Sequence, residues 1–371
     1  MSYSFAFGAR IKKSPFFEAT VAAGVTHFST YNRYCFPVGY GDPMGEYRRL
    51  TEGVAMWDVS VQRQIRLRGP EALALLKVLT PRNLSRVSVG QGRYTLICDN
   101  RGTLINDPVM LPISDDEYWL SIADNDVMLW TRAIAHERSM NVIVDEADVF
   151  PLAVQGPLSI SVMRDLFGDW VEELKFFNFR PAYLGDIPLL VARSGWSKQE
   201  GFEIYLMDAS RGTDLWNAVH EAGKPYDIGP GAPNYIERIE GGLLSVGADT
   251  DDRTNPFELG LDRLVDLEQE QEYIGKQALQ RIAREGIQRM RVGFYLDGDP
   301  FPGTSQHRWD IFREDRKVGE ATAAAYSPRL QRNISLGVVE IELAKPGTDL
   351  VIETEHGTRN AIVTTLPFTL D

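Results

Sequence analysis

The stretch Arg193-Ser194-Gly195-Trp196-Ser197-Lys198-Gln199-Glu200-Gly201-Phe202-Glu203-Ile204-Tyr205 joins a glycine-punctuated loop to a strand that carries a carboxylate and a phenol. Alternate residues of a strand share a face, which predicts Phe202, Ile204 and Leu206 in the core and Glu203 with Tyr205 pointing together at whatever lies opposite. A carboxylate beside an aromatic ring suits a flat, guanidine-like heterocycle such as a pterin, since one carboxylate accepts from its paired N–H donors while a ring stacks. The residues alone leave a second reading open, in which Glu203 is a solvated strand position, the usual place of a glutamate.

Around this stretch the chain reads as an ordinary globular protein. At 371 residues it is long for one core and calls for two or three domains. Hydrophobic residues make up 43% and charged residues 25%, with no apolar run of about 18 residues to cross a bilayer. Met1 to Lys13 lacks the apolar stretch and small-residue cleavage site of a secretory leader. Cys35 and Cys98 are the two cysteines, without a Cys-x-x-Cys, so neither a disulfide nor a zinc site is expected and a reducing cytoplasm fits. A net charge of −13 argues against nucleic acid as a partner. It also obliges any anionic ligand to find a local basic spot against the overall field.

A quasi-repeat bears on architecture. Ile65-Arg66-Leu67-Arg68-Gly69-Pro70 leads into Glu71 to Leu79, and Leu152-Ala153-Val154-Gln155-Gly156-Pro157 leads into Leu158 to Phe167. Each reads as a strand, a turn and a helix with proline at its first position. Two such modules suggest two related α+β halves. Further strands are expected at Tyr118 to Ile122 and Ile187 to Ala192, and a helix over Tyr235 to Val246 after the Gly229-to-Pro233 turn. Beyond about Glu285 short β-type runs such as Arg291 to Leu296 and Leu350 to Thr354 mark a small β-rich domain. The acidic run Glu268 to Glu272 reads as a solvated linker face.

Rival chemistries find little support. His27, His136, His220, His307 and His356 are scattered without metal-ligand spacing. There is no phosphate-binding Gly-x-x-x-x-Gly-Lys-Ser/Thr loop, no dinucleotide fingerprint after a strand, and no Gly-x-Ser-x-Gly nucleophile elbow.

The opening stretch resembles the folate-binding signature of the glycine-cleavage aminomethyltransferases, Arg-Thr-Gly-Tyr-Thr-Gly-Glu followed by a short spacer and Gly-Phe-Glu-Ile. Trp196 and Ser197-Lys198-Gln199 depart from it toward the dimethylsulfoniopropionate demethylase branch, which reads Ala-Arg-Ser-Gly-Trp-Ser-Lys-Gln-Gly-Gly. The resemblance continues in Tyr31-Asn32, in Trp57 to Gln64, and in Gly102-Thr103-Leu104-Ile105-Asn106-Asp107-Pro108-Val109. Ala153 to Pro157, Ile236 to Glu240, Ile274-Gly275-Lys276, Tyr326-Ser327-Pro328 and Leu366-Pro367-Phe368 extend it along nearly the whole chain.

The resemblance implies an α+β, three-domain aminomethyltransferase (T-protein) fold: two related α+β domains over 1–145 and 146–284, and a small barrel-like β domain over 285–371. It implies tetrahydrofolate as methyl acceptor, a small methylated donor as the other substrate, and a homodimer. Glu203 matches the glutamate that holds the pterin, with Tyr205 beside it. Tyr94 matches a tyrosine lining the folate cavity, and Asp107 the aspartate beside the reacting folate nitrogen, where it could also offset a cationic donor. Trp196 is the candidate wall for an onium group, because an indole face attracts a desolvated cation. Tyr31 is a further wall candidate, and Ser121 could reach the donor's carboxylate. The residues alone leave Trp196 and Tyr31 equally open to core packing, and Asp107 to a turn role.

Some residues depart from the demethylase pattern. Tyr-Asn is followed here by Arg33-Tyr34-Cys35-Phe36-Pro37 rather than His-Met-Leu-Leu-Pro, and Gln91-Gly92-Arg93-Tyr94-Thr95-Leu96 is closer to the aminomethyltransferases. Glycine-cleavage activity is disfavoured, because the family's folate-binding arginine in Ala-Arg-Asp is replaced around Pro233-Asn234-Tyr235. The expected activity is methyl transfer from an onium acid, dimethylsulfoniopropionate first, to N5 of tetrahydrofolate. A betaine or methoxylated aromatic donor, or non-catalytic folate binding, are the alternatives.

Overall fold

The computed structural model describes residues 8–305 and 307–369, so the first residues of the Met1-to-Lys13 stretch lie outside it. A five-stranded antiparallel sheet runs in the order Ile143–Glu146, Gln64–Arg68, Glu117–Ser121, Val109–Pro112, Arg93–Tyr94. A six-stranded sheet runs Phe179–Leu184, Ile187–Ala192, Gly201–Leu206, Phe150–Gln155, Ala55–Asp58, Gly229–Gly231, with only the last pair parallel. Six strands from Arg289–Leu296 to Gly357–Thr364 close into a barrel, which leaves them no free edge.

Each sheet buries one face under a helix of the repeated module. Ile65 and Leu67 pack on Ala72, Leu75, Leu76 and Leu79 of the helix Ala72–Leu79. Leu152, Val154, Phe202, Ile204 and Leu206 pack on Val162 and Met163 of the helix Ser159–Phe167. The period-2 pattern therefore sorts Phe202, Ile204 and Leu206 into the core as expected. The opposite faces meet each other, with Leu111 and Trp119 of the first sheet against Leu190, Ala192 and Tyr205 of the second. Glu203 and Tyr205 thus point into the space between the two sheets.

Four expectations are corrected. Pro70 and Pro157 lie in the turns, ahead of helices that begin at Ala72 and Ser159. The preceding Gly156 has φ +125°, and a Cβ there would stand 2.4 Å from the Gly53 carbonyl, so a side-chain-free turn precedes the helix. The strand Ala55–Asp58 pairs with Phe150–Gln155 in the second sheet, and Phe16, Val54 and Met56 fill the second core. A cut at residue 145 therefore does not separate the sheets. The helix expected to reach Val246 ends at Glu240, where Gly241 and Gly242 follow, the latter at φ +61°. The strand expected at Tyr118 to Ile122 spans Glu117–Ser121.

Gln155 ties the decisive loop to its strand. It is fully buried, its Nε2 donates to the Ser194 and Phe202 carbonyls at 3.0 and 3.2 Å, and its Oε1 accepts from Ser197 Oγ at 2.8 Å. The amide fits only because Gly195 and Gly201 lie against it; a Cβ on either would come within 2.2–2.3 Å of it. Gly201→Ala is expected to lower stability by about 1–3 kcal/mol in denaturant unfolding. The double variant Gln155→Ala/Gly201→Ala should lose less than the sum of the two single changes, as for residues in contact.

Candidate functional site

The strand Gly201–Leu206 carries two polar side chains into the space between the sheets. Glu203 is 7% exposed and Tyr205 1%, so the solvated reading of Glu203 is excluded. Ser194 Oγ donates to Glu203 Oε2 at 2.5 Å and the Tyr205 hydroxyl to the same oxygen at 3.2 Å. Oε1 accepts from none of the described residues. Burial raises the carboxyl's pKa, opposed by the two hydroxyl donors. A buried carboxyl with one oxygen filled and one open is equipped to receive a donor pair from a ligand. Burial also raises the Tyr205 phenol well above its ordinary range, with Glu203 adding to it.

Ser121 stands at the edge of the same group. Gln64 Nε2 donates to its Oγ at 3.0 Å, and its hydroxyl is near enough to Tyr205 to lower the phenol. Ser121 therefore belongs to the glutamate side of the site, beside the Tyr205–Glu203 hydrogen bond.

Asp107 follows the short strand Leu104–Asn106, whose last residue anchors it. Asn106 is fully buried, gives Nδ2 to the Ala123 carbonyl and accepts the Ala123 amide at Oδ1, both at 3.1 Å. The Tyr94 hydroxyl donates to Asp107 Oδ2 at 2.8 Å. Asp107 is half-buried by area but densely surrounded by protein. Burial pushes its carboxyl up to about 7, the Tyr94 hydrogen bond pulls it down, and Asp249 adds repulsion. The turn position of Asp107 thus carries a carboxyl that Tyr94 holds and burial raises.

Tyr31 ends the first strand of the N-terminal hairpin, His27–Tyr31, near Asp107. It precedes Asn32 and Arg33, both in the left-handed region at φ 50° and 67°, where asparagine is tolerated. Asn32 holds this turn by donating its amide to Asp124 Oδ1 and Nδ2 to the Val61 carbonyl, each at 3.0 Å. Burial raises the Tyr31 phenol, a backbone hydrogen bond at Asp124 opposes it, and the charges of Asp107 and Asp124 add to it, with Tyr235 close enough to contribute. Phe36 packs against Tyr31 with ring centroids 6.1 Å apart. Tyr34 instead turns toward Glu146, at 3.5 Å, and Phe150, so the run after Tyr31 contributes Phe36 rather than a continuous wall.

Trp196 is half-buried and donates Nε1 to the Leu244 carbonyl at 3.2 Å. Its loop is clamped from the helix Tyr235–Glu240: Glu237 Oε1 accepts the Lys198 amide at 2.6 Å and Gln199 Nε2 at 3.2 Å. Ser194, Gln155, Glu237, Gln64 and Tyr235 were missed by sequence reasoning. The Gly-x-x-x-x-x-Gly spacing of Gly195 and Gly201 marks room for a side chain in the sequence, but the register Gln155↔Gly201 that fills it comes only with the fold.

Behind Asp107 is a charged group shared with the barrel. Asp249 receives Arg238 Nη2 at 2.5 Å and Arg291 Nη2 at 3.3 Å, and Thr322 Oγ1 at 2.7 Å. Arg291 also donates to the Gly242 and Leu243 carbonyls at 3.0 and 3.1 Å. The arrangement holds the segment carrying Leu244 in place, and through it the Trp196 indole.

The family model described as GCVT N-terminal domain matches residues 16–269, and that described as glycine cleavage T-protein C-terminal barrel domain matches 289–369. The chain is 38% identical over 354 residues to dimethylsulfoniopropionate demethylase DmdA of Ruegeria pomeroyi, covering 95% of this chain and 96% of that one. It is 30% identical over 365 residues to an aminomethyltransferase of Halothermothrix orenii, covering 96% and 100%. Its fold superposes on the glycine cleavage system aminomethyltransferase T from Bartonella henselae with a TM-score of 0.86, over 97% of this chain and 98% of that one, at 22% identity. The chain belongs to the glycine cleavage T-protein family, in its dimethylsulfoniopropionate demethylase-like branch.

Proposed function

We propose that this protein, a tetrahydrofolate-dependent methyltransferase, takes the methyl group of a small methylated onium acid, dimethylsulfoniopropionate before any other, and passes it to N5 of tetrahydrofolate. The observation that carries the reading is Glu203: a buried carboxyl with Oε1 open, flanked by the Tyr205 phenol. That pair suits the paired N–H donors of a pterin, with Ser121 and Tyr205 setting the edge of its slot. Tetrahydrofolate supplies an uncharged nitrogen nucleophile when bound.

The residues would then do little beyond positioning. A sulfonium leaves as a neutral thioether, so no acid is needed on that side, and alignment of the two substrates supplies most of the acceleration. Trp196 offers an indole face for the cation, worth about 0.5–2 kcal/mol. Asp107, held by Tyr94, balances the donor's positive charge when ionised and takes up the proton shed at N5 as the methyl group arrives. The soluble, cytoplasmic setting of such one-carbon chemistry and a homodimer belong to the same proposal; no helix among the described residues is long and apolar enough to cross a membrane.

A second reading rests on Tyr31, a phenol kept protonated beside Asp107. Demethylation of a methoxylated aromatic acid needs a proton on the departing oxygen, and Tyr31 is the group that could give it. Anaerobic incubation with tetrahydrofolate and a panel of dimethylsulfoniopropionate, betaines and methoxybenzoates separates the readings, with 5-methyltetrahydrofolate followed by mass spectrometry. Product from the sulfonium is expected; product only from a methoxybenzoate moves the donor, and none from any donor removes the catalytic reading.

Two variants probe the roles. Trp196→Leu should raise KM about 2- to 30-fold for cationic donors, the range set by the cation–π energy; an equal loss with an uncharged donor would count against that contact. Asp107→Asn should lower kcat by about 10²-fold and flatten a pH–rate profile that in the wild type rises through about 7. The stability effect has the opposite sign. The folded state holds the Asp107 proton more tightly than the unfolded chain, so its contribution is present below the ordinary carboxylate range and lost as pH rises through about 7. The Tm of Asp107→Asn should therefore gain on wild type between pH 5 and pH 8, and a constant difference would remove the buried-carboxyl account.

A further inference from the structure

The charged group behind Asp107 holds more positive charge than its acid neutralises. Arg238 Nη2, Arg291 Nη2 and the Ser245 amide all donate to one oxygen, Asp249 Oδ2, and Thr322 Oγ1 donates to the other. A carboxylate offers about four lone-pair sites, so Asp249 has none left to give. Asp249, Arg238 and Arg291 are all buried. Two guanidinium groups against one carboxylate leave one positive charge in excess.

The other acids around the group are engaged elsewhere. Glu258 and Asp251 pair with Arg289, Glu240 takes Arg329 with the Tyr47 and Ser327 hydroxyls, and Asp107 is held by Tyr94. Arg291 registers the imbalance. Burial lowers its pKa, Asp249 opposes this, and repulsion from Arg238 adds to the lowering, so that it stays below the ordinary arginine range.

The same group also has open donors. Arg238 Nε, Arg238 Nη1 and Arg291 Nε are buried with no hydrogen-bond partner among the described residues. An unpaired buried donor is costly, and more so on a charged group. Water would satisfy the donors and leave the charge, whereas an anion answers both. Asp249 already holds Nη2 of Arg238, the nitrogen common to both forks of that guanidinium. The remaining Nε and Nη1 do not make a fork, which suits a spherical anion better than a carboxylate that takes paired N–H groups.

We propose that Arg238 and Arg291 bind a halide ion, chloride in ordinary salt, where the helix Tyr235–Glu240 meets the barrel strand Arg289–Leu296. The site does not depend on which methyl donor or acceptor the cavity takes. Its ion would fasten the two arginines whose contacts fix the segment from Gly242 to Asp249.

The test is anomalous diffraction at the bromine edge from crystals soaked in sodium bromide, with Tm measured in sodium chloride and in sodium gluconate at equal ionic strength. A bromide peak within hydrogen-bonding distance of both arginines is expected. The Tm in chloride should rise about 2 °C or more above that in gluconate and level off as the site fills. Gluconate has the same charge but is too large for a closed interior, so it reports screening alone. Arg238→Met and Arg291→Met each leave one guanidinium facing Asp249 and should lose the chloride dependence. Asp249→Asn leaves both guanidinium groups and should reach half the effect at a lower chloride concentration. Where a methionine variant does not fold, the wild-type bromide map decides by itself. Bromide at surface positions only, water in place of bromide between the arginines, or equal Tm in chloride and gluconate would overturn the site.

Discussion

Three charged side chains buried on one short helix hold the molecule's parts in register. In Tyr235–Glu240 the carboxylate of Glu237 and the guanidinium of Arg238 are 2% and 1% exposed, and Glu240 is 1% exposed. Each reaches a different element. Glu237 takes the loop that carries Trp196, Arg238 takes Asp249, and Glu240 accepts from Tyr47 near the N-terminus and from Ser327 and Arg329 of the barrel. Burying such groups costs several kcal/mol each, and the cost is offset only in part, since Arg238 Nε and Nη1 have no partner among the described residues. The helix joins the loop of the six-stranded sheet, the helix that carries Tyr47 and the barrel at one point. Its first turn is fixed independently by Asn234, whose Oδ1 accepts the Ile236 and Glu237 amides at 3.1 Å.

The same constraint gives the barrel a part in the cavity. Its Arg291 is buried, and besides Asp249 it grips the carbonyls of Gly242 and Leu243, the residues just before the carbonyl that receives Trp196 Nε1. A domain on the far side of the helix thus holds the segment whose Leu244 carbonyl receives the Trp196 indole. Asp249 also raises Asp107, and Arg291 lowers Tyr94. Placement reaches Trp196, and charge the Asp107–Tyr94 pair, through the same few residues.

Legibility in the sequence followed the range of the interaction. The alternation of Phe202, Ile204 and Leu206 against Glu203 and Tyr205 is local, and it predicted both the core face and the polar face. The strand at Ile187–Ala192 and the β-rich C-terminal part were legible for the same reason. The pairing of Ala55–Asp58 with Phe150–Gln155 spans about a hundred residues, and no local pattern announces it. Pro70 and Pro157 have the composition of a first helical position; the glycine before each places it in the turn instead. Ser194 and Gln155 read as unremarkable polar residues. Their meaning comes from Gly195 and Gly201, whose missing side chains make room for the Gln155 amide.

The cavity's two ends differ in the protonation they impose, and this bears on which chemistry they suit. At one end Glu203 accepts two hydroxyl donors on a single oxygen and forms no ion pair among the described residues, so its carboxyl is costly to ionise until a ligand brings N–H donors to the other oxygen. At the other end the Tyr94 hydroxyl donates to Asp107, and burial lifts that carboxyl to about 7. A site that only bound a heterocycle would have no use for the second condition. A site that moved a methyl group from a cation to a nitrogen would need both: a fixed partner for the ring, and a carboxylate able to answer the loss of a proton and the passage of a positive charge.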